Sequence, residues 1–352
     1  MQRFIVGTGR CGSTLLSKML QEHPDTLSII EFFSTLDRDG VFLQGEFDGP
    51  QVAAILARGN LLNDLVVTRE PFFASDVGHS YRREFPEYGR KAVRFPGFQM
   101  VLSQLCENPE QAYEEAIAVV RAWPRRTLNA HWLALFEWMT QRFGKQLWLE
   151  RSGVSIEYAG NLIRWFPKAR YIHIHRDGPT TALACRAFRH FVLYCSFFTA
   201  PPSNEELQQM LKERFDPTDD PVLRRMTTGQ PSLEEFGRYW SWQIARGYHD
   251  LIQLPPDQFM DVRYEDLVGD TRHTLERIAQ FFELPARSGW IDRAAAMIDP
   301  EVTPDRAHAL SNDEMERLVT ACRPGQTLLG RDVYNGFEDT MQRLRRAVDA
   351  AS

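Results

Sequence analysis

The chain has 352 residues, enough to bury a sizeable core, and its 43% hydrophobic and 25% charged content exclude a mainly disordered or fibrous protein. A net charge of −6 gives no general basic surface, so non-specific nucleic-acid binding is not expected and any anion site must be locally basic. Five widely spaced cysteines without a C-x-x-C pair read as reduced thiols of a cytoplasmic protein, and no apolar stretch approaches the roughly 18 residues of a membrane span.

Residues 4–6 form a short apolar run suited to a buried parallel strand, and residues 13–21 carry Leu15, Leu16, Met19 and Leu20 at helical spacing. Between them Gly7, Gly9 and Gly12 let the backbone approach a ligand closely, so that amide N–H groups and the helix N-terminus converge on a phosphate. The frame is G-x-x-x-x-G-K-[ST] with Ser13 in the lysine position and Thr14 after it. That lysine reaches the β and γ phosphates in nucleoside triphosphate hydrolases, so its absence argues against triphosphate chemistry. Arg10 and Lys18 keep positive charge nearby, which suits a smaller anionic tail without a metal. A plain strand-to-helix turn that needs glycine only for its geometry is the alternative.

His23-Pro24-Asp25 ends the first helix, and residues 27–30 give a second strand leading to Glu31. Open α/β sheets gather ligands at strand carboxyl ends, so Glu31 faces the same crevice as the glycine turn or is simply solvated. Residues 52–62 and 110–122 read as helices. Between them residues 68–99 show no period and are rich in Arg, Pro, Gly and aromatics, the pattern of a binding loop or lid. Their aromatics, Phe72, Phe73, Tyr81, Phe85, Tyr88, Phe95 and Phe98, either line an acceptor pocket or pack the loop on the core.

Residues 127–143 form an amphipathic helix containing His131, closed by Gly144, and residues 146–149 begin a buried strand that ends at Glu150-Arg151-Ser152-Gly153. Residues 170–175 alternate as a strand into Arg176-Asp177-Gly178-Pro179, where an arginine before a helix N-terminus is an apt phosphate ligand. His173 and His175 share one face of that strand; with no third ligand nearby they read as packing residues rather than a metal site. Residues 186–200 read first as a core helix, with an acceptor wall or dimer surface as alternatives. The proline-bearing stretch 201–231 suggests an insert or lid edge, residues 233–254 a long helix with Trp240 and Trp242, and residues 259–285 a strand, a turn holding Tyr264 and an amphipathic helix. The tail, with Arg331 and a basic helix ending near Arg346, is a candidate for a further phosphate contact that the sequence leaves open. Together these elements predict an α/β protein with a central parallel sheet and helices on both faces.

Four segments, in order, resemble the sulfotransferases that use 3′-phosphoadenosine-5′-phosphosulfate, in their bacterial and Golgi-type branch. Arg10-Cys11-Gly12-Ser13-Thr14-Leu15-Leu16 resembles the phosphosulfate loop R-x-G-[ST]-T-L-[LM], and Glu31 stands where that branch has a catalytic glutamate. Glu150-Arg151-Ser152-Gly153 is similar to [EN]-K-[TSD]-P, with arginine for lysine and glycine for proline. Residues 166–178 resemble F-P-x-A-[RK]-[YF]-x-x-x-x-R-D-[GP], and residues 262–268 resemble the Y-E-[DQ]-L-V signature.

The resemblance implies a three-layer α/β/α fold with a P-loop-like phosphosulfate loop after the first strand and insertions forming a lid. It implies one domain over residues 1–352, with acceptor-site insertions at 37–130 and 186–235. The implied reaction moves a sulfonate to a hydroxyl of a small-molecule, lipid or glycolipid acceptor. Glu31 is then the general base and His131 the reserve base, while Arg10 and Arg151 stabilise charge on the sulfonate and the departing phosphate. Gly9, Arg10, Cys11, Gly12, Ser13, Thr14 and Leu15 hold the 5′ end, Arg176 the 3′-phosphate, and Tyr264 lies against the adenine or in the core. Ala184 stands where the family has a serine on the 3′-phosphate, so either Thr180, Thr181 or a shifted contact substitutes or the 3′-phosphate is held more weakly. No metal, nucleic acid or transmembrane segment is expected, and a homodimer is left open. A P-loop kinase, opposed by the missing lysine, and a non-catalytic nucleotide-binding module, favoured by Ala184 and Gly153, are the alternatives.

Overall fold

The computed structural model describes residues 1–60, 65, 96–210, 220, 222, 224, 225, 229–298 and 310–331. Most of the aromatic segment 68–99 and the basic tail helix lie outside the described residues. At the centre is a parallel sheet of β1 (Arg3–Gly7), β2 (Thr26–Ile30), β5 (Leu147–Arg151), β6 (Arg170–His175) and β7 (Phe259–Arg263), in the order β2-β5-β1-β6-β7. β3 (Glu46–Phe47) and β4 (Arg126–Thr127) make a separate antiparallel pair.

The central strands are buried on both faces, which is why they read as continuous apolar runs. Side chains alternate between two cores. Phe4, Val6, Leu27, Ile29 and Tyr171 join Trp132, Phe136 and Phe166 on one face. Ile5, Leu149, Ile172, Ile174 and Val262 join Leu16, Leu20, Leu275 and Ile278 on the other. Helices therefore cover both faces, as the sequence predicts.

The helices begin where their capping residues stand. Asp48 and Gln51 form a capping box ahead of the Gly49–Leu56 helix, which starts three residues before the apolar period suggests because Pro50 suits a first turn. Ser232 with Glu235 and Ser311 with Glu314 cap Leu233–Leu251 and Asn312–Leu328 in the same way. These two long helices pack on each other and on Gly178–Arg186, around a third core that includes Trp240, Phe236, Leu318 and Cys322. The aromatic stretch 186–200 begins at the last residue of the Gly178–Arg186 helix, breaks at Ala187–Phe188 and continues as the Arg189–Thr199 helix, which buries Val192, Leu193 and Cys195 in that core. Among the described residues no helix is long and apolar enough to cross a membrane.

Candidate functional site

All five strands of the sheet are parallel, so their carboxyl ends lie along one edge, and each is followed by a residue the sequence singles out. Across the sheet these are Glu31 after β2, Arg151 ending β5, the glycine turn after β1, Arg176 after β6 and Tyr264 after β7. The register is tight: Ile30 pairs with Arg151, Ile5 with Arg151, Gly7 with Ile174 and His175 with Arg263. The turn occupies the middle of the row, flanked by one arginine on each side.

The turn is closed by the buried Cys11, whose thiol donates to the Thr8 carbonyl at 2.8 Å. Burial pushes that thiol up, so it stays protonated and structural. Gly12 precedes the Ser13–Gln21 helix at φ 93°, and no side chain caps the helix, which leaves first-turn N–H donors for an anion. Its missing side chain also makes room for the Tyr264 ring. Gly9 is likewise covered by the Phe191 ring, while the Arg10 guanidinium lies 3.8 Å from the Phe188 ring centroid. The aromatic stretch 186–200 thus supplies both core residues and the wall of the glycine turn.

Glu31 accepts three hydrogen bonds on its carboxylate. Its backbone sits at φ 64°, a left-handed conformation uncommon for a residue other than glycine, and its N–H donates to the Arg151 carbonyl at 2.8 Å. One carboxylate oxygen takes Nη1 of Arg151; the other accepts the Gly153 N–H at 2.7 Å and the Ser34 hydroxyl. Arg151 also donates from Nη2 to the Thr14 hydroxyl at 2.7 Å, and its buried Nε has no hydrogen-bond partner among the described residues. The Arg151 side chain is only 3% exposed and that of Glu31 29%, so the carboxylate is the member of the pair that solvent or a substrate reaches. Beneath them Glu150 is fully buried. Burial first, then the nearby Glu31 charge, push its carboxyl up to about 8, against an opposing hydrogen bond from Ser152. Ser152 also accepts the Phe33 N–H at 2.9 Å, which ties the turn after Glu31 to β5.

On the other side of the turn the Arg176 guanidinium lies 4.5 Å from the Tyr264 ring centroid, so one tyrosine touches both the glycine turn and the second arginine. Asp177 caps the next helix, accepting the N–H and hydroxyl of Thr180 at 3.0 and 2.8 Å.

Three expected roles do not fit these positions. Thr181 is fully buried and its hydroxyl donates to the Asp177 carbonyl at 2.8 Å, so the turn geometry consumes it and it offers nothing in place of the serine missing at Ala184. His131 is brought to the β3–β4 pair rather than to the row: one ring nitrogen meets the Phe47 carbonyl at 2.8 Å and the other accepts from Arg126 Nε at 3.2 Å. Burial holds its pKa down. Arg331 reaches the strand ends, but as the partner of Glu265 and His175 rather than as an open phosphate ligand.

His173 and His175 stack with ring centroids 5.3 Å apart and share Asp261, at 2.8 and 3.4 Å, as hydrogen-bonded packing residues do. Among the described residues no group of His, Cys, Asp and Glu is arranged to hold a metal ion. Sequence reasoning covered Phe188 and Phe191 only within the aromatic stretch 186–200, and gave Ser34, Glu265 and Gln326 no role.

Among solved structures the chain is similar to the sulfotransferase domain from the curacin biosynthetic pathway, at 14% identity over 83% of this chain and 77% of that one, with a TM-score of 0.44. It is similar also to the sulfotransferase domain of the Synechococcus PCC 7002 olefin synthase, at 18% identity over 90% and 92%, TM-score 0.41. A Mycobacterium avium sulfotransferase gives 14% identity over 93% and 75%, TM-score 0.41. No curated protein matches the sequence. A family model described as the sulfotransferase family matches residues 216–288, the segment that holds β7 and Tyr264. Over those residues the chain therefore matches the sulfotransferase family that its motifs resemble.

Proposed function

We propose that this chain transfers a sulfonate from 3′-phosphoadenosine-5′-phosphosulfate to an acceptor hydroxyl. The observation that carries the reading is the row of strand ends, in which a lysine-free glycine turn stands between a carboxylate–arginine pair and an arginine–tyrosine pair. A donor with a sulfonated 5′-phosphate and a separate 3′-phosphate suits two cation sites set apart by a phosphate-binding turn. The first-turn N–H groups after Gly12 and the Thr14 hydroxyl hold the 5′-phosphate. Arg176 takes the 3′-phosphate, and Tyr264, already wedged between turn and arginine, offers its ring edge to the adenine.

Glu31 accepts the proton of the acceptor hydroxyl as that oxygen bonds to sulfur. The bond from sulfur to the 5′-phosphate oxygen breaks, and the products are the sulfate ester and adenosine 3′,5′-bisphosphate. Arg151, buried behind Glu31 and Thr14, stabilises the charge that develops on the departing phosphate and the sulfonate through its own charge and its hold on the Thr14 hydroxyl. The departures from the family pattern at 151 and 153 support catalysis rather than a binding-only module. Gly153 donates its N–H to Glu31, which a proline could not do, and the forked Arg151 reaches Glu31 and Thr14 together, which a single ammonium does less well.

Phe188 and Phe191 beside the turn favour an acceptor with an apolar body, a small molecule or a lipid. Purified protein mixed with the radiolabelled sulfonate donor and a panel of lipid, sugar and phenolic acceptors is expected to yield a labelled ester and adenosine 3′,5′-bisphosphate. Phosphoryl transfer from Mg-ATP with no sulfonate transfer would overturn the reading.

A further inference from the structure

Arg176 sits between two residues held by Gln326, near the end of the Asn312–Leu328 helix, and by Arg331, which follows it. Before it, His175 receives Arg331 twice: Nε donates to the ring Nδ1 at 3.0 Å and Nη2 approaches the backbone carbonyl at 3.5 Å. After it, the Asp177 N–H donates to Glu265 Oε1 at 2.9 Å, and Gln326 Nε2 donates to the Asp177 carboxylate at 2.9 Å. Glu265 is itself held by Arg331 through both oxygens, at 3.3 and 2.8 Å. Glu265 directly follows Tyr264, whose ring lies under the Arg176 guanidinium.

A guanidinium only donates, so Nδ1 of His175 must be the acceptor and the ring proton must be on Nε2, facing Asp261 at 3.4 Å. Asp261 also receives the Tyr248 hydroxyl at 3.0 Å. One side chain thus fixes a histidine tautomer, a glutamate and, through them, the backbone on both sides of Arg176. Its own 9% exposure leaves it little reach to solvent.

We propose that Arg331 is a positioning residue for the 3′-phosphate site: through His175 and Glu265 it holds Arg176 and Tyr264 in the arrangement that recognises a 3′-phosphorylated nucleotide. The proposal rests on the donor reading above. It differs from a direct contact, because Arg331 spends its donors on Glu265 and His175 and acts on the ligand only through Arg176. It also accounts for a fold that brings a residue 155 positions downstream of Arg176 back to the same strand end, since 331 less 176 is 155.

The test is calorimetric titration of the full chain with adenosine 3′,5′-bisphosphate and with adenosine 5′-monophosphate, for the wild type, R331M, R176A and the double variant. Wild type is expected to prefer the bisphosphate. R331M is expected to lose about tenfold of that preference with 5′-monophosphate affinity little changed, and the loss should vanish in the R176A background because the two residues act as one unit. R331K, which keeps the charge but not the fork, should recover only part of it. Should R331M not fold, E265Q cuts the same link at the other end and is expected to give the same loss of preference. Equal loss of both nucleotides, or an undiminished effect of R331M beside R176A, would overturn the positioning role alone. A wild type with no preference for the bisphosphate would overturn the donor reading and this proposal with it.

Discussion

Arg151 and Glu31 end and follow neighbouring parallel strands, and they share an ion pair in which Arg151 is buried and Glu31 stays within reach of solvent. The arginine holds one carboxylate oxygen, while Gly153 and Ser34 hold the other. The carboxylate is thereby aimed rather than free to rotate. E31Q keeps the shape and removes the base, so kcat for sulfonate transfer is expected to fall by about 100-fold or more while adenosine 3′,5′-bisphosphate affinity changes little. R151K keeps the charge but gives up the simultaneous reach to Glu31 and Thr14, and a fall in kcat/KM of about tenfold is expected. Steady-state kinetics with both substrates varied, beside nucleotide titration, separates the two. Full turnover by E31Q would remove Glu31 from the chemistry.

The two glycines at the mouth of the turn should fail for different reasons. At Gly12 a side chain meets both a φ of 93° and the Tyr264 ring, so G12A is expected to lose nucleotide affinity whatever stands at 264. At Gly9 the obstacle is the Phe191 ring alone, which is the far end of a side chain and can be shortened. G9A is therefore expected to weaken nucleotide binding and G9A/F191L to regain most of it. Titration of the four variants with adenosine 3′,5′-bisphosphate checks this, and recovery of G12A by Y264L to the same extent would show that the backbone angle does not matter there.

That these residues share one edge was legible in the sequence because each follows a strand and parallel strands put all such residues on one edge; their order along it, set by the strand order, was not. The apolar runs ending at Val6, Ile30 and Leu149 and the alternation into Arg176 carried that information. What stayed hidden depends on long-range packing. Nothing in the local pattern says that Arg331 meets Glu265, whereas the Thr181 hydroxyl turning back to the Asp177 carbonyl is a local contact between residues four apart. The surroundings of His131 were equally hidden, because a histidine on an amphipathic helix looks the same whether it faces the crevice or the β3–β4 pair.

The position of His131 has its own consequence. Both its ring nitrogens are hydrogen-bonded and its ring stacks on Trp123 with centroids 5.7 Å apart, so its work is to fasten the β3–β4 pair to the Leu128–Arg142 helix. H131A leaves the Phe47 carbonyl and Arg126 without that partner, and a loss of about 1–3 kcal/mol in denaturant unfolding is expected. Turnover per folded molecule should stay close to wild type. A large fall in kcat with unchanged stability would return the histidine to the list of bases.

Glu150 links the same strand end to pH. Its carboxyl is raised from the ordinary 4.5 to about 8, chiefly by burial, so between those values the folded chain holds a proton that the unfolded chain has released. Native protein then binds more protons than unfolded, and stability falls as pH rises through this window, by at most about 1.4 kcal/mol per pH unit. Below about 4.5 both states are protonated, and above about 8 both are ionised, so outside the window the contribution is flat. E150Q keeps the neutral form at every pH. Its unfolding free energy is expected to lack this fall and to exceed that of wild type most clearly above about pH 8, where the wild type carries a buried charge beside the Glu31–Arg151 pair. Urea unfolding of both proteins at several pH values between about 5 and 9 measures the difference. Parallel curves would mean that Glu150 does not titrate in that window and that some other arrangement relieves its burial.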